Sequence, residues 1–295
     1  MFKAAVVQAA SELFNLEACL QKTEAWVQDA KKQGANLVVF PEAFIPGYPR
    51  GLSFGTVVGS RSAKGRKTWL SYWENAVEIP GPASNRLCDI AREAAVWLVM
   101  GVIEREPIGG TLYCTLLYID PSGTIRGKHR KLKPTAAERI IWGEGDGKDL
   151  QVIATPFGRM GGLICWENYM PEARLMLYRQ GIDIYMAPTA DQRDTWQASL
   201  IHIACEGRCF VLGCNQYVTK AMYPKEILEW EEHNELPDLL SRGGSVVISP
   251  LGQILAGPLW DQEGILYANL DLKEVAMGKL DFDVVGHYSR NDLSV

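Results

Sequence analysis

The sequence predicts one α/β domain spanning residues 1–295, with sheets covered by helices, and three observations predict it. A helical stretch followed by a short, mainly apolar run occurs four times. Those runs are too apolar on both sides for half-exposed strands, so they read as strands buried on both faces. No linker, repeat or low-complexity tract divides the 295 residues, a length that buries most of its surface without a disulfide or metal staple.

In order, the N-terminal segment MFKAAVVQAASELF lacks the long apolar region of a secretion signal and reads as a core strand. Leu16, Leu20, Val27 and Ala30 share one helical face, Gly34 stops that helix, and NLVVF follows. Leu87, Ile90, Ala91 and Ala94 mark a second helix, capped by Ser84, before WLVMGVIE. A meander comes next, TLYCTLLYI and TIRGKHR, joined by the turn Asp120-Pro121-Ser122-Gly123. The third unit starts a helix at Pro171, ends it at Gly181 and continues into IDIYMAP; the fourth runs from Asp194 to FVLGC. The strands GSVVISP, GQILAG and ILYANLDL close the chain, and the charged stretch 218–241 is predicted to be a surface insertion.

Composition narrows the function. A net charge of −5 opposes non-specific nucleic-acid binding, which needs a basic footprint. No run of about 18 uncharged apolar residues exists to span a membrane. Seven cysteines, an odd number, favour free thiols in a reducing compartment, so a cytoplasmic location is expected. His202, Cys205 and Cys209 read as one side of a helix packed on the core, and with Cys214 they fit no zinc spacing; no phosphate loop, dinucleotide loop or serine elbow occurs, so no cofactor and no metal are expected.

Three reactive residues stand at strand ends. Glu42 follows NLVVF directly; by type alone it reads as a solvated loop residue, but Pro41, Pro46, Gly47 and Pro49 stiffen its mount. Lys131 belongs to a basic run from Arg126 to Lys133 that also reads as a solvated edge; alternation puts Lys131 and Lys133 on one face with Arg130 opposite, and spacing does not choose between the lysines. Cys165 ends RMGGLIC and opens WENYMPE. A cysteine there is commonly an inert buried thiol, yet ligands gather beyond the carboxyl ends of strands in α/β sheets.

FPEAF, HRKLKPT, GGLICWENYMP and APTADQRDTWQASLIHIACEGRCFVLGCNQ together resemble the nitrilase branch of the carbon–nitrogen hydrolase superfamily, over nearly the whole chain. The resemblance implies a four-layer αββα sandwich, with Glu42 as general base, Lys131 as the lysine of a triad and Cys165 as nucleophile. It selects Lys131 because the family lysine directly follows the arginine and precedes the proline by three. It gives Glu138 and His129 supporting roles, makes Trp166 and Tyr48 candidates for the substrate pocket, and implies a homodimer or higher homo-oligomer. The implied activity is hydrolysis of a small organic nitrile to a carboxylic acid and ammonia. The rivals are an aliphatic amidase, a cyanide-hydrolysing enzyme, or an assembly protein without turnover. Two departures stand out. Glu172 replaces the usual leucine and brings a charge toward the Cys165 helix; Asn291 replaces a proline near a short C-terminus, which argues against long filaments.

Overall fold

The computed structural model describes residues 1–230, 236–290 and 292; Asn291 lies outside them. Two β-sheets pack face to face. In the first, the order is Gly264–Leu270, Phe2–Gln8, Leu37–Val39, Trp97–Arg105, Leu112–Ile119 and Ile125–Arg130. Its three middle strands, Phe2–Gln8, Leu37–Val39 and Trp97–Arg105, run parallel. The second is ordered Tyr217–Thr219, Leu239–Ile248, Phe210–Cys214, Ile184–Pro188, Gly158–Gly162 and Ile153–Thr155, with Ile254–Trp260 also paired to Leu239–Ile248.

The parallel strands read as unbroken apolar runs because both their faces are covered. One face of each sheet meets the other sheet: Val6, Val39, Val99 and Leu116 share a buried cluster with Met160, Ile184, Met186, Leu212 and Val247. Burying each such side chain contributes about 1.5–3 kcal/mol. The outer face of the first sheet is covered by helices Leu16–Lys32 and Pro82–Ala94, through Leu20, Val27, Leu87 and Ile90. Helices Pro171–Arg179 and Asp194–Gly207 cover the second through Leu177, Trp196, Leu200 and Ile203. The layers are therefore α, β, β, α. Gln8 helps lock the two sheets in register: its amide donates to the carbonyls of Leu259 and Gln262, and its Oε1 accepts from the Ser245 N–H.

Several local expectations need correction. Gly81 caps the second helix; Ser84 sits inside the first turn, where its Oγ accepts the Gly81 N–H at 2.8 Å. The 218–241 stretch is not simply a surface insertion. It contributes the edge strand Tyr217–Thr219, the helix Lys225–Trp230 and the start of Leu239–Ile248, and Val218, Tyr223, Ile227 and Leu240 enter the inter-sheet core. His202 is exposed, and Cys209 lies past the helix end in the core, so the two do not share a face. None of the described helices is long and apolar enough to cross a membrane.

Candidate active site

The site is assembled from both sheets. Glu42 follows the Leu37–Val39 strand and Lys131 follows Ile125–Arg130, both from the first sheet; Cys165 follows Gly158–Gly162 in the second. Two glycines leave room for the chain segments that carry or flank these residues within each sheet. A Cβ on Gly101 would meet the Pro41 carbonyl oxygen at 2.0 Å and Glu42 Cα at 2.9 Å; one on Gly162 would meet the Met186 carbonyl oxygen at 2.3 Å. Backbone around the reactive residues is strained. Ala43, Ala136 and Cys165 hold φ of 50°, 48° and 53° without being glycine, a left-handed conformation that costs about 1–2 kcal/mol each and clusters at functional sites.

Lys131 is the centre of charge. Its side chain is fully buried, and Nζ donates to Glu42 Oε1 at 2.6 Å and Glu138 Oε2 at 2.8 Å, below the ring of Trp142. Burial lowers its pKa, but Glu42 and Glu138 outweigh that, joined by Cys165 whenever its sulfur is a thiolate, and hold it well above the ordinary lysine value. Glu42 is 1% exposed. Burial raises its proton affinity, the Lys131 ammonium opposes this, and Glu138 adds to the rise. Two carboxylates share one ammonium, so Glu42 is a stronger base than a free carboxylate. Its Oε2 lacks a normal hydrogen bond, while Oε1 also accepts weakly from the Cys114 thiol at 3.7 Å. The Cys165 thiol is pushed up to about 12 by burial and by Glu42, with Lys131 and a 3.3 Å hydrogen bond from Thr189 pulling the other way. It rests as a neutral thiol and needs a base to become a nucleophile.

Lys133, expected on the same face as Lys131, is instead exposed and paired with Glu144. The strand ends at Arg130, so the alternation stops there. Up to that point it holds: Lys128 and Arg130 point one way and pair with Glu104, while His129 turns inward between Asp149 and Glu167, each at 3.1 Å. Those two carboxylates outweigh burial and raise His129 to about 9.

A cavity of about 310 Å³ opens over the cysteine, lined by Tyr48, Thr135, Glu138, Cys165, Trp166 and Asp191 among others. Tyr48 and Trp166 thus share one cavity with Cys165. Tyr48 also donates to Glu138 Oε1 at 2.7 Å, and Trp166 Nε1 donates to Asp191 Oδ2 at 2.9 Å. Glu172 is exposed on the first turn of Pro171–Arg179 and does not line the cavity. Sequence reasoning missed Thr189, although it is the first polar residue after the apolar strand Ile184–Pro188. It also missed Glu167 and Asn168; the Asn168 amide donates to the carbonyls of Leu163 and Cys165 and holds the turn that presents the thiol. Among the described residues, no three His, Cys, Asp or Glu side chains converge as metal ligands.

The carbon–nitrogen hydrolase family model matches residues 3–279. The chain belongs to that family. It is 51% identical over 295 residues to a bifunctional nitrilase/nitrile hydratase of Lupinus angustifolius, covering 99% of this chain and 84% of the lupin protein. An aliphatic nitrilase of Sinorhizobium fredii is 49% identical, covering 99% and 94%; nitrilase 1 of Arabidopsis thaliana is 48% identical, covering 98% and 84%. The fold matches that of Saccharomyces cerevisiae Nit3, with a TM-score of 0.75 at 21% identity over 97% of this chain and 96% of Nit3. An amidase from Nesterenkonia shares it at TM-score 0.68 and 22% identity, over 93% and 92%.

Proposed function

We propose that this family member hydrolyses small organic nitriles to carboxylic acids and ammonia through a covalent bond to Cys165. The observation that carries the reading is the buried Lys131 ammonium between Glu42 and Glu138, beside a neutral thiol at the floor of a small cavity. Relatives named as nitrilases, at about half identity over nearly the full length, support a nitrile in preference to an amide.

Glu42 takes the thiol proton as sulfur attacks the nitrile carbon. Negative charge then builds on nitrogen, and the Lys131 ammonium stabilises it; one such fixed donor in a dry site contributes roughly 3 kcal/mol. Glu42 passes the thiol proton to that nitrogen, which gives a neutral thioimidate and restores the carboxylate. Glu42 then takes a proton from a water that adds to the thioimidate carbon and returns it to nitrogen, so the tetrahedral intermediate expels ammonia to leave a thioester. A second water, activated by Glu42 in the same way, hydrolyses the thioester, releasing the acid and returning a proton to the Cys165 sulfur. Glu138 orients Lys131 and is itself held by Tyr48; Trp166 and Tyr48 wall the substrate. We further propose a cytoplasmic homo-oligomer. The free thiols support the compartment. Met176, 45% exposed on helix Pro171–Arg179, and Tyr169, 42% exposed on the turn before it, support an interface there.

The test is ammonia release from aliphatic, aromatic, arylacetic and cyanide substrates alongside the matching amides. Nitriles are expected to turn over, and Cys165→Ala to lose more than a thousandfold while keeping its circular dichroism. A folded Cys165→Ala with greater residual activity refutes the nucleophile; turnover of amides alone refutes the substrate class.

A further inference from the structure

The lysine loop and the cysteine turn come from different sheets, and one buried carboxylate ties them together. Glu167, two residues past Cys165, accepts the Leu132 N–H on Oε1 at 2.5 Å and the Ile164 N–H on Oε2 at 2.6 Å. Leu132 directly follows Lys131, and Ile164 directly precedes Cys165. His129 Nε2 lies 3.1 Å from both Glu167 oxygens, and its Nδ1 lies 3.1 Å from Asp149 Oδ1. Asp149 Oδ2 in turn accepts the Arg130 N–H at 2.9 Å, so Lys131 is pinned through both its neighbours. The Glu167 side chain has no solvent exposure and His129 has 2%.

We propose that Glu167, bridged through His129 to Asp149, is a positioning residue that sets the separation of the Lys131 ammonium from the Cys165 sulfur. The reasoning is geometric. Only an ionised carboxylate can accept peptide N–H groups from both loops on its two oxygens while a doubly protonated imidazole donates to it. A glutamine would turn an NH₂ toward one peptide N–H and release that loop. Displacement of a reacting group by about 1 Å is enough for a hundredfold rate loss. His129 is faced by Asp149 and Glu167, and the buried Tyr118 phenol senses the same two carboxylates. The two carboxylates keep it doubly protonated to about pH 9, and burial holds the Tyr118 phenol protonated well beyond that. Above about pH 9 one ring nitrogen becomes an acceptor turned on a carboxylate, and the brace loosens.

This inference rests on Lys131 and Cys165 being the reactive pair. The experiment compares wild type, Glu167→Gln, His129→Gln and Cys165→Ala, with kcat expressed per alkylatable Cys165 in the three cysteine-bearing proteins. Expected for Glu167→Gln is a kcat about a hundredfold lower with KM within threefold. Wild-type kcat is expected to fall as pH rises through about 9. His129→Gln should have lost that fall, with kcat about tenfold lower at pH 7.5. A purely structural role would lower the folded fraction and leave kcat per site unchanged. A Glu167→Gln kcat within threefold of wild type therefore overturns the proposal. Should Glu167→Gln fail to fold, His129→Gln decides, and wild-type kcat with the same fall near pH 9 overturns it. If Cys165→Ala is active, the reading of the site fails; if it is dead and the other variants are normal, only the brace fails.

Discussion

Replacing Lys131 by methionine keeps the length of the side chain and removes its charge from between two carboxylates. At 2.6 and 2.8 Å, Coulomb's law with an effective dielectric near 20 gives roughly 6 kcal/mol per contact. Most of that offsets the cost of burying the charges, so the net destabilisation expected is about 3–5 kcal/mol. The deficit should depend on pH. Without the ammonium, the folded state holds Glu42 protonated well above the unfolded value of about 4.3. Between those two values the folded state binds more protons than the unfolded one, so variant stability falls as pH rises through the window. The deficit against wild type should thus shrink to about 1 kcal/mol near pH 5 and reach its full size near pH 8. Urea unfolding of both proteins at the two pH values measures it, and ammonia release should fall at least a hundredfold. An equal deficit at pH 5 and pH 8 would refute the shared-ammonium picture; activity within tenfold of wild type would remove Lys131 from the reaction.

Lys131→Arg should be nearly inactive, because a planar guanidinium cannot occupy the place of a compact ammonium, whereas Lys133→Arg, at an exposed ion pair, should keep wild-type kcat; exchanged phenotypes would refute the assignment. In heavy-oxygen water a nitrile should yield acid carrying two labels with equimolar ammonia and a minor singly labelled amide; predominant amide would mean that the tetrahedral intermediate expels sulfur. Alkali should destabilise the fold. Burial holds both Cys19 and Cys165 near 12 against about 8.5 when unfolded. Between these values the folded state keeps protons that the unfolded chain has lost, so stability falls by up to about 1.4 kcal/mol per pH unit for each thiol. A urea midpoint unchanged from pH 8 to pH 10 would contradict this.

Glu42 and Cys165 stood out as candidates because each lies just beyond an apolar strand, their roles came from the family resemblance, and the helix-then-strand rhythm gave both sheets their parallel cores. Lys131 could be separated from Lys133 only through family resemblance, since the strand stops at Arg130 and alternation fails one step too early. Thr189 obeys the strand-end rule and could have been found by it. Glu167 could not, because its role depends on Leu132 returning from 35 residues away. The 218–241 stretch misled for a related reason. Lys220, Lys225, Glu226 and Glu229 dominate its pattern, while the pairing of Tyr217–Thr219 with the strand that begins at Leu239 turns Val218 inside and the helix Lys225–Trp230 buries Ile227.

The division of the reagents between two slabs has a consequence for the apolar seam that joins them. In the proposed reaction the base and the ammonium ride on one slab and the sulfur on the other, so any shear along the seam would act as a misalignment of that reaction. Residues such as Val6 and Met186, remote from solvent and inert in themselves, thereby govern a tolerance tighter than folding demands. Repacking that a cooperative melt would barely register can still throw the attack trajectory off line. Warming should therefore idle the proposed reaction before it unravels the chain.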